Sequence, residues 1–147
     1  MKKRTQNISL AVIGAFAVMQ LFQIEKINPP VLKGYDFLEI ENPPEQVATL
    51  LRNACYDCHS HESKFPWYTS IQPVGWWIRG HIRGGRQNLN FSEWTDYDAD
   101  KKAHKLEECA EEVGERHMPM KSYVNMHPEA KLSDADVQVL VDYFNGK

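Results

Sequence analysis

Cys55-Tyr56-Asp57-Cys58-His59 stands near the middle of the chain and forms a C-x-x-C-H motif. Two thiols separated by two residues on a helical turn suit addition across the two vinyl groups at one edge of a haem. The histidine that follows can then place its imidazole under the iron. The motif therefore predicts one covalently attached haem c, with Cys55 and Cys58 as the attachment sites and His59 as the proximal iron ligand.

Two other kinds of site also use a C-x-x-C pair. A thioredoxin-type dithiol lies in a β-α-β setting, and no strand pattern is visible in this sequence. A zinc site needs further ligands at close spacing, and no second C-x-x-C or H-x-x-x-H follows. The remaining cysteine, Cys109, lies beside Ala110 on a predicted helix and is expected to be a small, partly buried residue.

Helical periodicity continues on both sides of the motif. Apolar residues between Val47 and Ala54 recur at the spacing of one helix face, which predicts an amphipathic helix over residues 45–54. Further helices are predicted from Pro73 to Gly84-Gly85, over residues 98–113, and from Ser133 onward. The sequence thus predicts an all-α, cytochrome-c-like helical domain around one haem.

A haem that transfers electrons needs a second axial ligand, usually methionine or histidine. Met118 precedes Pro119 in an irregular stretch after the third long helix, where a stiffened loop can hold a thioether over the haem. Met118 is therefore the predicted distal ligand. Met120 and Met126 are rivals in the same segment. His81 is a rival of another kind, because ligation by two histidines would give a lower redox potential.

Other polar side chains are candidates for contact with the haem or for the protein surface. Guanidinium and indole N–H groups can donate to haem propionates, although a solvated surface is the more common role of an arginine. These candidates are Arg79, Arg83, Arg86, Trp67, Trp76, Trp77 and Trp94. Three histidines in polar surroundings are expected at the surface, namely His61, His104 and His127.

The N-terminus has the pattern of an export signal. Lys2, Lys3 and Arg4 precede an almost wholly apolar stretch of about 17 residues, 8–24. No small-x-small cleavage site follows, so an uncleaved signal anchor with a transmembrane helix is predicted, with the haem domain on the outer side of the membrane. The predicted divisions are residues 1–27 as the anchor, 28–44 as a proline-rich linker and 45–147 as the haem-binding domain.

The composition suits one domain with a hydrophobic core. The chain has 147 residues, of which 42% are hydrophobic and 25% are charged. The formal net charge is −3, and several basic residues are concentrated at the N-terminus. The acidic remainder argues against nucleic acid as a partner.

Several stretches of this sequence resemble one known family. Alongside the C-x-x-C-H motif these include Asn28-Pro29-Pro30-Val31, Pro66-Trp67-Tyr68, Leu89-Asn90-Phe91-Ser92-Glu93-Trp94 and Met118-Pro119. They are similar, over almost the whole chain, to the haem-binding domain family of small membrane-anchored bacterial c-type cytochromes. The resemblance implies one covalent haem in a helical domain. The family's Met-Pro pair supports Met118 as the distal ligand. The family pattern also includes a histidine at position 81, which keeps His81 as a rival. Met120 stands where the family pattern has Pro or Leu.

These features together predict a monohaem c-type cytochrome rather than an enzyme. It would transfer electrons at the outer face of a bacterial cytoplasmic membrane, with redox partner proteins or membrane respiratory complexes as its partners. Two alternatives stay open at this point. One is a peroxidase-like haem enzyme, which requires an open sixth site, and the other is a haem sensor or a subunit of a respiratory complex.

Overall fold

The computed structural model describes residues 2–146. Every regular element in that range is helical, which confirms the predicted all-α class. The α-helices are α1 (Lys2–Met19), α2 (Phe37–Glu41), α3 (Glu45–Ala54), α4 (Tyr56–His59), α5 (Val74–Asn88), α6 (Ala99–Gly114), α7 (Lys121–Val124) and α8 (Asp134–Asn145). Short 3-10 helices occupy Trp67–Ser70, Phe91–Asp96 and Pro128–Ala130.

Local capping explains where two of the predicted helices begin. Asp98 is the N-cap of α6, where its carboxylate accepts a hydrogen bond from the Lys101 N–H at 2.8 Å. Ser133 and Asp136 form a reciprocal capping box at the start of α8. The predicted positions of these two helices and of α3 are confirmed.

The predicted end of the second long helix at Gly84-Gly85 is wrong, because α5 continues to Asn88. Gly85 allows a close approach instead of a turn. A Cβ added to Gly85 would lie 2.7 Å from the carbonyl oxygen of Cys58. The absence of a side chain at this position therefore lets α5 pack directly against the backbone of α4.

The core lies between α2, α3, α6 and α8. Aromatic rings fill much of it: Phe37 meets Trp94 edge-on with ring centroids 4.8 Å apart, and Tyr56 stacks on Phe91 at 5.2 Å. Phe37 belongs to the predicted linker, residues 28–44, and is fully buried. Part of that segment is thus packed into the helical domain through α2.

The apolar N-terminal helix, α1, has no buried residue. Just beyond its end, the Gln20 amide donates to the Gln72 carbonyl at 3.0 Å and accepts from the Gln72 N–H at 2.9 Å. This reciprocal pair joins the N-terminal segment to the start of α5. Within residues 2–146, no helix combines the length and apolar character needed to cross a membrane, so the predicted transmembrane helix is not supported.

Candidate functional site

The two middle residues of the C-x-x-C-H motif fix its orientation. The Tyr56 side chain is buried in the aromatic core, and its hydroxyl donates to the Asp36 carboxylate at 2.9 Å. Asp57 is also buried, and its carboxylate accepts a hydrogen bond from the Tyr123 hydroxyl at 2.7 Å. With these two side chains held by the protein, the other three residues of the motif line a common cavity.

This cavity, which we call the main cavity, has a volume of about 850 Å³ and lies against α4, α5, α6 and the segment that follows α6. Such a volume is typical of small-molecule and cofactor sites. Its lining brings together the predicted haem-binding residues and most of their rivals, namely Cys55, Cys58, His59, His81, Met118 and Met120. Cys109 lines it as well. Met126 is not among the lining residues and is 55% exposed, so the structure separates it from the other candidates.

Burial raises the pKa of every thiol in the main cavity. The pKa of Cys58 is raised to about 11 and that of Cys109 to about 12. The pKa of Cys55 is raised too, by burial first and then by the neighbouring Cys109 and Cys58. Because a dithiol oxidoreductase depends on a lowered thiol pKa, this environment does not favour a thioredoxin-type function.

The His59 imidazole is held in a form that suits metal ligation. Its Nδ1–H donates to the Leu89 carbonyl oxygen at 3.1 Å, which leaves Nε2 as the ring nitrogen with a free lone pair. Burial lowers the pKa of His59. The neutral imidazole is therefore favoured at neutral pH, and this is the form that binds iron.

One face of α5 provides a wall with few side chains. Gly80 and Gly84 lie one turn apart on the main cavity, and a Cβ added to either would meet nothing within 4 Å. Trp76 and Trp77 line the same cavity, beside this wall. A large, flat, mainly apolar group can lie against such a surface without displacing protein atoms, so these residues fit a haem.

The three arginines considered as propionate partners do not line the main cavity. Arg79, Arg83 and Arg86 instead line a separate, smaller pocket on the other face of α5. Trp94, another candidate, is buried in the core, where its indole N–H donates to the Glu41 carboxylate at 3.0 Å. Of the polar candidates, only Trp76 and Trp77 line the main cavity, and the indole N–H of Trp76 already donates to the Phe22 carbonyl at 2.8 Å.

Two of the three histidines expected at the surface are largely covered. The side chains of His61 and His127 are 11% and 13% exposed. His127 stacks on Tyr123 at 4.3 Å, and its Nε2 lies 2.6 Å from the Tyr68 hydroxyl. The residues next to His61 and His127 in the sequence are polar and give no sign of these contacts, which join residues far apart in the chain. His104, at 63% exposure, lies at the surface as predicted.

An all-helical domain that gathers a C-x-x-C-H motif, a neutral buried imidazole and methionines around one cavity defines a small haem-binding protein. Residues 14–146 match the haem-binding domain family, and the chain belongs to that family. This match confirms the resemblance to the haem-binding domain family and supports haem as the cofactor. Comparisons with curated proteins and with solved structures gave no significant match.

Proposed function

We propose that the protein is a monohaem c-type cytochrome that transfers electrons at the outer face of a bacterial cytoplasmic membrane. The observation that supports this most directly is the main cavity, which is lined by the whole Cys-Cys-His set of the motif and by Met118. Cys55 and Cys58 would form the two thioether bonds. His59 would be the proximal iron ligand, and Met118 the distal one.

Bound haem would supply reversible one-electron chemistry. The residues of the chain hold the ligands in fixed positions. The Leu89 carbonyl orients the His59 ring, and the Tyr123 hydroxyl fixes Asp57 between the two attachment cysteines. Buried, hydrogen-bonded ligands change little in geometry when the charge of the iron changes, which suits electron transfer.

One polar group of the main cavity keeps the alternative of an enzyme open. The His81 Nδ1–H donates to the Trp77 carbonyl oxygen at 2.8 Å, which leaves Nε2 as a ring nitrogen with a free lone pair. Lys105 donates to the Glu108 carboxylate at 2.6 Å, so these two side chains are paired with each other. A peroxidase-like enzyme would therefore depend on His81 as its base.

Attachment to the membrane would occur through residues 1–27. Three basic residues form the start of α1, and apolar α1 side chains such as Leu10 and Val12 are more than 60% exposed. Cell fractionation tests this part of the proposal. The full chain is expected in the membrane fraction and should be released by detergent, whereas a chain lacking residues 1–27 and fused to a cleavable export signal should be soluble. Recovery of the full chain as a soluble protein would contradict membrane attachment.

Covalent haem attachment can be tested with a matched set of cysteine variants, because all three cysteines line the same cavity. Wild-type protein matured in a host with haem-attachment machinery should keep its haem during acid–acetone extraction and gain the mass of one haem. Cys55→Ala and Cys58→Ala should each lose a thioether bond, and Cys109→Ala should lose none. Release of all pigment from the wild type, or an equal loss in Cys109→Ala, would refute the attachment sites.

The optical spectrum separates the carrier from the alternative functions. A carrier with both axial positions filled should be low-spin in both redox states and unaffected by carbon monoxide or peroxide. A high-spin spectrum that shifts with either ligand would instead support a peroxidase-like enzyme or a haem sensor.

A further inference from the structure

The two faces of α5 line two different cavities. A helix turns by about 100° per residue, so positions 79, 83 and 86 centre on a direction about 125° around the helix from positions 77, 80 and 84. The second face contributes to a pocket of about 250 Å³, which we call the arginine pocket. Its lining residues are His61, Arg79, Ile82, Arg83, Arg86, Gln87, Asn90 and Glu93.

Arg86 is held firmly at one side of the arginine pocket. Its Nε donates to the Ser60 carbonyl at 2.8 Å, and its Nη2 donates to Asn28 Oδ1 at 2.8 Å and to Ser63 Oγ at 2.9 Å. All three partners are neutral. The positive charge of Arg86 is therefore fixed in position by hydrogen bonds without being neutralised by them.

Arg79 and Arg83 lie one turn apart beside this fixed charge, and neither forms an ion pair with a carboxylate within residues 2–146. Burial, and after it the proximity of Arg79, lowers the pKa of Arg86. Among the lining residues the only carboxylate is that of Glu93, which lies 3.3 Å from His61 Nε2. Three guanidinium groups thus share one pocket with a single acidic group, and their mutual repulsion is only partly offset.

We propose that the arginine pocket binds a phosphate group, with Arg79 and Arg83 as its direct ligands and Arg86 as a fixed neighbouring charge. Guanidinium groups form paired hydrogen bonds with phosphate oxygens, and an anion with about two negative charges would relieve the repulsion among the three arginines. The small pocket suits a single phosphate group, either free in solution or exposed on a lipid headgroup. This site does not depend on the proposed electron-transfer function, because none of its residues lines the main cavity.

Calorimetric titration of the haem-loaded, full-length protein with inorganic phosphate tests the site in a buffer of low ionic strength. The double variant R79Q/R83Q should weaken phosphate binding by at least about tenfold, because charge-assisted hydrogen bonds are lost. The matched control K121Q/K131Q removes the same charge from exposed positions outside the pocket and should change the affinity by less than about twofold. Glu93→Gln should strengthen binding, an effect that damage to the fold cannot produce.

Sedimentation with vesicles separates the two sources of phosphate. Phosphatidylcholine vesicles with and without phosphatidylglycerol are compared for the same variants. Binding to phosphatidylglycerol that is lost in R79Q/R83Q and suppressed by inorganic phosphate would assign the pocket to a lipid headgroup. Phosphate binding without this vesicle dependence would assign it to a free phosphate. The proposal is overturned if neither probe binds, or if K121Q/K131Q weakens binding as much as R79Q/R83Q.

Discussion

Replacement of Gly85 by alanine should destabilise the haem-free domain, and the same replacement at the adjacent Gly84 should not. Both glycines lie inside α5, so each substitution gains about 0.5–1 kcal/mol from reduced backbone freedom in the unfolded chain. The two sites differ in what the new methyl group meets. At Gly84 it meets nothing within 4 Å, whereas at Gly85 it would lie 2.7 Å from the Cys58 carbonyl oxygen and 3.2 Å from its carbon.

The steric cost at Gly85 determines the expected difference in the free energy of unfolding between the two variants. Both contacts are to backbone atoms, which cannot rotate away, so α5 must shift from α4. Forcing one extra carbon into a packed interior costs about 1–3 kcal/mol. The helix-propensity gain is common to both variants and cancels in their comparison. Gly85→Ala should therefore have a free energy of unfolding about 1–3 kcal/mol below that of Gly84→Ala.

Urea denaturation of the haem-free protein is the appropriate assay, because bound haem would quench the tryptophan fluorescence that reports unfolding. Trp94 lies in the core and is 1% exposed, so its emission should change when the core opens. The wild type and both alanine variants are compared under identical conditions. Equal stabilities of the two variants, or a more stable Gly85→Ala, would refute the close approach of α5 to the haem motif.

Three further predictions concern separate contacts. Met118→Ala in the haem-loaded protein should abolish the weak red absorption band of ferric haem ligated by sulfur, as followed by optical spectroscopy. Tyr123→Phe should lower the free energy of unfolding in urea by about 1–3 kcal/mol, because Oδ2 of the buried Asp57 carboxylate loses the hydroxyl that donates to it at 2.7 Å. Hydrogen bonds from the Ser133 hydroxyl and N–H lower the pKa of Asp136. The ionised Asp136 carboxylate therefore stabilises α8 fully above the usual aspartate pKa, and this stabilisation is lost as the pH falls through the lowered pKa. Thermal unfolding of Asp136→Asn at several acidic pH values should therefore show a weaker dependence on pH than that of the wild type.

The local sequence is sufficient to predict the fold class and three of the long helices, and it displays the C-x-x-C-H motif directly. Helical periodicity and the capping signals depend on residues that are close in the chain, as at Ser133 and Asp136. The C-x-x-C-H motif is likewise confined to one turn of helix. Each of these features results from interactions within a few residues, which a single sequence displays directly.

Long-range contacts could not be predicted in the same way. The sequence predicts a helix end at Gly84-Gly85, since glycine often follows a helix. The actual reason for Gly85 is the backbone of Cys58, which is far from it in the sequence. The spacing of Gly80 and Gly84, one turn apart on a single helix face, was the available signal for a flat cavity wall. The bond between Tyr123 and Asp57 had no local signal at all.

The arrangement of the cavity walls gives a physical reason to favour Met118 over His81 as the distal ligand. α5 packs against α4, and Gly85 approaches Cys58 closely, so His81, one turn before Gly85, lies on the wall adjoining His59. If His59 holds the iron as proposed, a sixth ligand would have to come from a different wall of the cavity. Met118 follows α6 and lies on a different wall of the cavity. If His81→Ala changed the axial ligation and Met118→Ala did not, this assignment of the two walls would be wrong, and α5 would have to cross the distal face of the haem.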